Sequence, residues 1–364
     1  MKKKLMLSIA LSLMISMIPA SASTPEDESI YVTTQESTEA DKFASENVYE
    51  LVETLAENTY QDLQTIKLGN GILVENPESQ LTLNTYFYPV YVNDSFKYVL
   101  RVVDNGQSQY TGFLSIGAVE EIKKLSSISD YNNPITLYQS NGNLAYFTSH
   151  EDGVLIKDTI SEENKPDKSI MLSLRKQRNV KTTVDVNKTS SIPVVKPVRS
   201  REIQPRAYAV LTIDYKEMQS TSSNNWCTAY VSASAARLML GDSSIRARTI
   251  AQYTGAQEED VIDLPKLVNW WATKGYKFSY YNGQVGAATV AADLSNRRPL
   301  WTAYQWYNNG WHGHALLIHG INGNNYTVWN PWYNYSEAAS ATNFTYTNWG
   351  GITMTMYMFG RHSK

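Results

Sequence analysis

The chain has 364 residues, 42% of them hydrophobic and 18% charged, which is enough apolar length to build the cores of two ordinary domains. A formal net charge of −3, from 32 Lys and Arg against 35 Asp and Glu, provides no basic surface for a nucleic-acid partner. A single cysteine, Cys227, excludes an internal disulfide framework.

The N-terminus, MKKKLMLSIALSLMISMIPASAS, has three lysines, an apolar run from Leu5 to Ile18 and small residues at Ala20-Ser21-Ala22. This is the layout of a secretory signal peptide, assigned to residues 1–22. The run of about 14 apolar residues is short of the roughly 20 a spanning helix needs, so a secreted, extracellular chain without a stable membrane anchor is expected.

Residues 23–180 predict a β-rich unit. Its opening, Thr24–Glu46, is acidic and weakly hydrophobic, and is expected to stay disordered or to fray. A helical pattern follows over Asn47–Thr65. Next come ILVEN, LTLNTYFYPVYV, KYVLRVVDN, YTGFLSIG, ITLYQS, LAYFTSH and GVLIKD, which alternate apolar and polar residues between Asn, Gly and Asp turns. That pattern predicts an antiparallel sheet curling into a barrel or sandwich. The one histidine here, His150, has no partner cluster and is read as a solvated surface residue.

Residues 181–206, KTTVDVNKTSSIPVVKPVRSREIQPR, contain three prolines and a surplus of Lys and Arg, and read as an exposed linker. Arg199, Arg201 and Arg206 would be accessible to a trypsin-like or self-processing cut, although an uncut flexible linker fits the composition equally. All nine tryptophans lie beyond residue 206, so residues 207–364 are expected to form a different domain.

In that second half, NNWCTAYVSASAARLML carries Cys227. Asn224, Asn225 and Trp226 read as a loop entering a helix, and the pattern from Ala229 to Met239 stops at Gly241. Cys227 is then in a first helical turn, where unsatisfied N–H groups and the helix dipole favour the thiolate, the nucleophilic form. A buried inert thiol and an intermolecular bridge are the competing readings of a lone cysteine.

A nucleophilic thiol needs a base and a group that orients the base. The segment GWHGHALLIHGINGNNYTVWNPW, Gly310 to Trp332, offers both on a predicted hairpin with Asn322-Gly323-Asn324-Asn325 as its turn. A turn centred on Asn322-Gly323 sets residue 314 opposite 331, and one centred on Gly323-Asn324 sets it opposite 333; either way His314 comes within cross-strand reach of Asn330. An asparagine oxygen accepting from one imidazole nitrogen leaves the other facing the thiol, and Trp332 could cover that bond from water. His312, in a Gly-flanked loop on the same face, could face substrate, and mid-strand His319 reads as structural. No Cys, Asp or Glu nearby completes a metal-ligand set with His312 and His314, so neither a metal nor a cofactor is expected.

Trp226-Cys227 opening a helix, Gly313-His314-Ala315 opening a strand and Trp329-Asn330-Pro331-Trp332 closing the hairpin resemble the staphopain family of secreted papain-like cysteine proteases, over roughly residues 208–364. The order Cys, His, Asn is also that of the wider papain clan. The resemblance implies an α+β, papain-like two-subdomain catalytic domain, with a helical half carrying Cys227 and a β-barrel half carrying His314 and Asn330. It also implies a zymogen whose β-rich, half-barrel-like propeptide inhibits it intramolecularly, protein or peptide substrates, and a dedicated protein inhibitor. The family's oxyanion glutamine stands six residues before the cysteine, where this chain has Thr221; Gln219, eight residues before Cys227, is the candidate oxyanion donor, with Asn224 or Asn225 as substitutes.

The reaction expected is attack of a Cys227 thiolate, paired with the His314 imidazolium, on a peptide carbonyl. A cell-wall amidase, a transglutaminase-like acyltransferase and a secreted non-enzymatic binding module are the rivals. The first lacks its Asp-Cys-Ser-Gly helix start here, and the second would put aspartate at position 330. The aromatics of WTAYQWYNNGW, Trp301–Trp311, either line a cleft or pack the barrel, packing being the better reading for most.

Overall fold

The computed structural model describes residues 29–55, 65–76, 84–106, 109–125, 129, 131–132, 134–140, 143–147, 154–157, 182–185, 188, 192–196, 208–219, 224–307, 310–340 and 344–364. The signal segment, His150, Thr221, Arg199, Arg201 and Arg206 lie outside the described residues. Among the described residues, no helix is long and apolar enough to cross a membrane.

The fold is α+β. The first half contributes β1 (Tyr31–Thr34), α1 (Thr38–Leu55), β2 (Ile66–Leu68), β3 (Ile72–Glu75), β4 (Thr85–Val92), β5 (Ser95–Asp104), β6 (Tyr110–Ser115), α2 (Val119–Lys124), β7 (Thr136–Ser140), β8 (Asn143–Phe147), β9 (Val154–Lys157) and β10 (Thr182–Asp185). The second adds β11 (Tyr208–Val210), α3 (Cys227–Leu240), α4 (Ala247–Thr254), α5 (Leu264–Thr273), β12 (Lys277–Asn282), α6 (Ala287–Ser295), β13 (Leu300–Tyr307), β14 (Trp311–Asn322), β15 (Asn325–Trp329), β16 (Ser336–Ser340), β17 (Thr345–Thr347) and β18 (Thr353–Ser363).

Two readings of the first half need correction. The described part of the acidic opening, from Ser29 onward, is structured: β1 lies there, and α1 begins at Thr38, nine residues before the expected helix start. Ser37 Oγ accepts from the Ala40 N–H, and Glu39 and Asp41 sit in the first turn, where negative charge suits the helix dipole. Ala40, Ala44, Val48, Leu51 and Val52 then make one buried stripe, so the acidity belongs to a helix N-terminus. The sheet is antiparallel except for the parallel pair β3–β7. Part of the segment read as an exposed linker is also held down: β10 pairs with β1, and Pro193 and Val195 bond to Ser45 of α1.

The two halves share one 16-stranded sheet. Its path is β12-β18-β13-β14-β15-β16-β6-β5-β4-β3-β7-β8-β9, and the halves join where Ala338 and Ala339 of β16 pair with Leu114 and Phe113 of β6. In the second half, side-chain alternation divides the core in two. Ala303, Ala315, Leu317 and Trp329 face α3, α4 and α5, whereas Leu316, Ile318, Val328 and Tyr346 face α6 and the joint with the first half.

Candidate active site

Asn224 prepares the entry to α3. Its Oδ1 accepts from the Trp226 N–H at 3.0 Å, while Trp226 Nε1 donates to the Gln257 carbonyl at 2.6 Å and the Asn225 N–H to the Glu258 carbonyl at 2.7 Å. Cys227 is thereby the first residue of the helix. The helix ends where Gly241 takes a φ of 67° and returns its N–H to the Arg237 carbonyl, a left-handed cap that glycine adopts without a Cβ clash. Cys227 keeps some exposure. Burial pushes its thiol up from the ordinary cysteine value, opposed by hydrogen bonds to the sulfur from the Ala315 and Thr228 amides, the Thr228 hydroxyl and its own N–H. The Ala315 amide sets the sulfur one residue from His314.

The β14–β15 hairpin turns at Gly323-Asn324, the second of the two registers considered. A bulge at His319 then shifts the ladder by one residue, so that Leu317 pairs with Trp329 and the line through position 314 runs to Trp332. Trp332 indeed stacks on the His314 ring, centroids 3.9 Å apart and planes at 18°. His314 Nε2 lies 2.8 Å from Asn330 Oδ1.

The donors decide the tautomer. The Trp332 backbone N–H, which can only donate, is 2.9 Å from the same Asn330 oxygen, so that atom is the acceptor of both. His314 therefore carries its proton on Nε2, and Nδ1 keeps the lone pair that can take a proton from sulfur. Burial lowers the His314 pKa to about 4, with the Asn330 bond opposing the shift. Burial thus disfavours charge on both the thiol and the imidazole.

Gln219 is brought to the same place. Its N–H donates to the Pro331 carbonyl at 2.8 Å, beside Asn330, and its side-chain Nε2 donates to the Asn224 carbonyl, three residues before Cys227. Its Oε1 is buried without a hydrogen-bond partner among the described residues. Asn224 is committed to Trp226 and Asn225 to the Glu258–Glu259 loop, while Gln219, with one amide N–H on the Asn224 carbonyl, has a second N–H to offer.

The other candidates separate clearly. His319 is fully buried, its Nδ1–H donating to the Leu211 carbonyl and its Nε2 accepting from the Ser336 hydroxyl, so it ties β11 and β16 to β14. His312 is exposed and stacks on Trp306, which meets Trp332 edge-on. In the aromatic segment, Trp301 and Tyr304 are core, and Trp311 is half-exposed against Tyr357, whose hydroxyl is raised by burial and by its neighbour Cys227. Packing therefore accounts for Trp301 and Tyr304.

Sequence reasoning missed what stands behind Asn330. Its Nδ2 donates to the Tyr346 hydroxyl at 3.3 Å, and Tyr346 donates to Glu337. A lone acid in the small-residue run SEAAS was the available signal. Neither a known protein family nor a curated protein matches this chain.

Proposed function

We propose that the chain is a secreted cysteine endopeptidase similar to the staphopains, made as a zymogen and hydrolysing peptide bonds through an acyl-enzyme. The observation that carries this reading is the directed arrangement at His314: Nε2–H on Asn330, Trp332 over the bond, and the Cys227 sulfur at the neighbouring Ala315 amide. A papain-like division is supported by helices that carry the thiol on one side and a sheet that carries the imidazole and the amide on the other. The first half serves as the inhibitory propeptide, and a dedicated protein inhibitor is a further partner.

In the reaction His314 Nδ1 takes the thiol proton as sulfur attacks the peptide carbonyl. The Cys227 N–H and the Gln219 amide receive the developing oxyanion. His314 gives the proton to the departing amine, and water, deprotonated by the same nitrogen, releases the acid product and returns the proton to sulfur.

The test is to incubate the full chain and its Cys227→Ala variant with an unfolded protein under mild reductant, before and after limited trypsin treatment, and to sequence fragments by mass spectrometry. Fragments that depend on Cys227 are expected. Intact substrate from folded wild-type chain in both conditions overturns the peptidase reading. Gln219→Ala is expected to lower kcat roughly 10²-fold with little change in KM, the loss typical of one oxyanion donor. A change confined to KM would instead make Gln219 a strut for the Asn224 loop.

A further inference from the structure

We propose that Arg101 and Glu337 are positioning residues for His314 in the zymogen, acting through Tyr346 and Asn330, so that while the two halves are joined a side chain of the first sets the orientation of the imidazole in the second. The inference rests on the cysteine-peptidase reading of Cys227 and His314.

Arg101 stands in the apolar run Val99–Val103 of β5 and is 1% exposed. Register explains where it reaches. Arg101 pairs with Phe113 on β6, Phe113 with Ala339 on β16, and Glu337 is two residues along on the same face. Across the joint, Arg101 Nη2 meets Glu337 Oε1 at 2.7 Å with both side chains buried, and Nη1 donates to the Thr347 carbonyl at 2.9 Å. The guanidinium carbon lies 4.3 Å from the centroid of Trp349 and 5.2 Å from that of Phe113. Tyr333, Tyr335 and Tyr346 are the titratable groups that face it besides Glu337.

The chain of bonds has one consistent direction. The Glu337 carboxylate, paired with Arg101, accepts from the Tyr346 O–H. Tyr346 must then use its lone pair for Asn330 Nδ2, which points Asn330 Oδ1 at His314 and demands the proton on Nε2. Reversing any member would turn an acceptor toward a donor's place and free the amide to flip. A hydroxyl already donating to a carboxylate is also a stronger acceptor. A buried ion pair contributes little net stability, whereas its directional constraint reaches the nitrogen that must receive the thiol proton.

The experiment uses the full chain, whose sole thiol reports by mass-resolved alkylation with iodoacetamide from about pH 4 to 9, together with ¹⁵N NMR of the His314 ring assigned through His314→Gln. Tyr346→Phe leaves both charges paired and cuts the chain in the middle. The double variant Arg101→Met with Glu337→Leu removes both charges together. Each is expected to slow alkylation near neutral pH about three- to thirtyfold, the span of network mutations, and to shift the Nε2–H signal, with Arg101→Lys falling between. If the double variant does not fold, Tyr346→Phe decides. Wild-type rates, pH profile and ¹⁵N signals in the folded variants overturn the proposal. Wild-type alkylation in His314→Gln would sink the thiol–imidazole reading instead, and the ¹⁵N signals would still decide the positioning.

Discussion

His314→Gln is expected to cost on the order of 10⁴-fold or more in kcat, while the chain folds as before. Glutamine can return an N–H to Asn330 Oδ1 from nearly the same place, so the Asn330–Trp332 turn keeps its partner. What disappears is Nδ1, the nitrogen that the Nε2–H bond to Asn330 leaves with its lone pair and that the proposed reaction uses as base. Burial holds the imidazole near 4 and pushes the thiol upward, so the sulfur does not ionise unaided near neutrality. Assisted and unassisted attack should therefore differ widely. The same shifts locate the limbs of the kcat/KM profile: a rise near the imidazole pKa of about 4, and a fall at high pH as the thiol proton is lost. Steady-state kinetics of both proteins across that range check this. A wild-type profile with a single rise through the ordinary thiol value of about 8.5 would mean Cys227 acts without His314.

Much of the architecture was legible because short-range patterning and burial agree. The seven alternating runs of the first half fall on β3 to β9, and the small-residue pattern after Cys227 is a helix stopped by Gly241. The Asn330–His314 meeting was legible because hairpin register depends on the turn, which the Asn-Gly cluster announces. The bulge at His319 was not, since a one-residue insertion leaves no compositional trace, yet it carries the line from His314 to Trp332.

The joint between the halves was illegible for a different reason. A linker and a change in tryptophan content argue for separate units, but strand edges pair through backbone groups that every residue has. Nothing in SEAAS or YTGFLSIG names the other as partner. The hint was two misplaced charges: Arg101 inside VLRVV and Glu337 among alanines and serines, each too costly to bury alone. Two such residues of opposite sign, far apart in the chain, imply each other.

The largest stability effect is expected from acid. His314 and His319 have pKa values lowered to about 4 and His362 to about 3, first by burial in each case. His314 is then partly restored by Asn330 and His319 by Leu211, while Lys216 lowers His319 further. His362 lies between Trp271 and Phe278 with Arg298 nearby. A depressed histidine pKa means the unfolded chain binds the proton first, at about 6.5, so stability rises with pH through this window. The contribution is complete above that value and is lost as pH falls toward 4 and then 3. At about pH 5 each histidine should cost about 2 kcal/mol, and three together approach the whole stability of an ordinary domain. Asp41, whose pKa burial raises, works in the opposite sense but only as a single group. Denaturant melts followed by tryptophan fluorescence at about pH 7.5, 6 and 5 should show the loss, and His314→Gln should recover about a third of it. Equal stability at all three values would mean that these rings are solvated before the chain unfolds, and that the Trp332 cover over His314 opens in the native state.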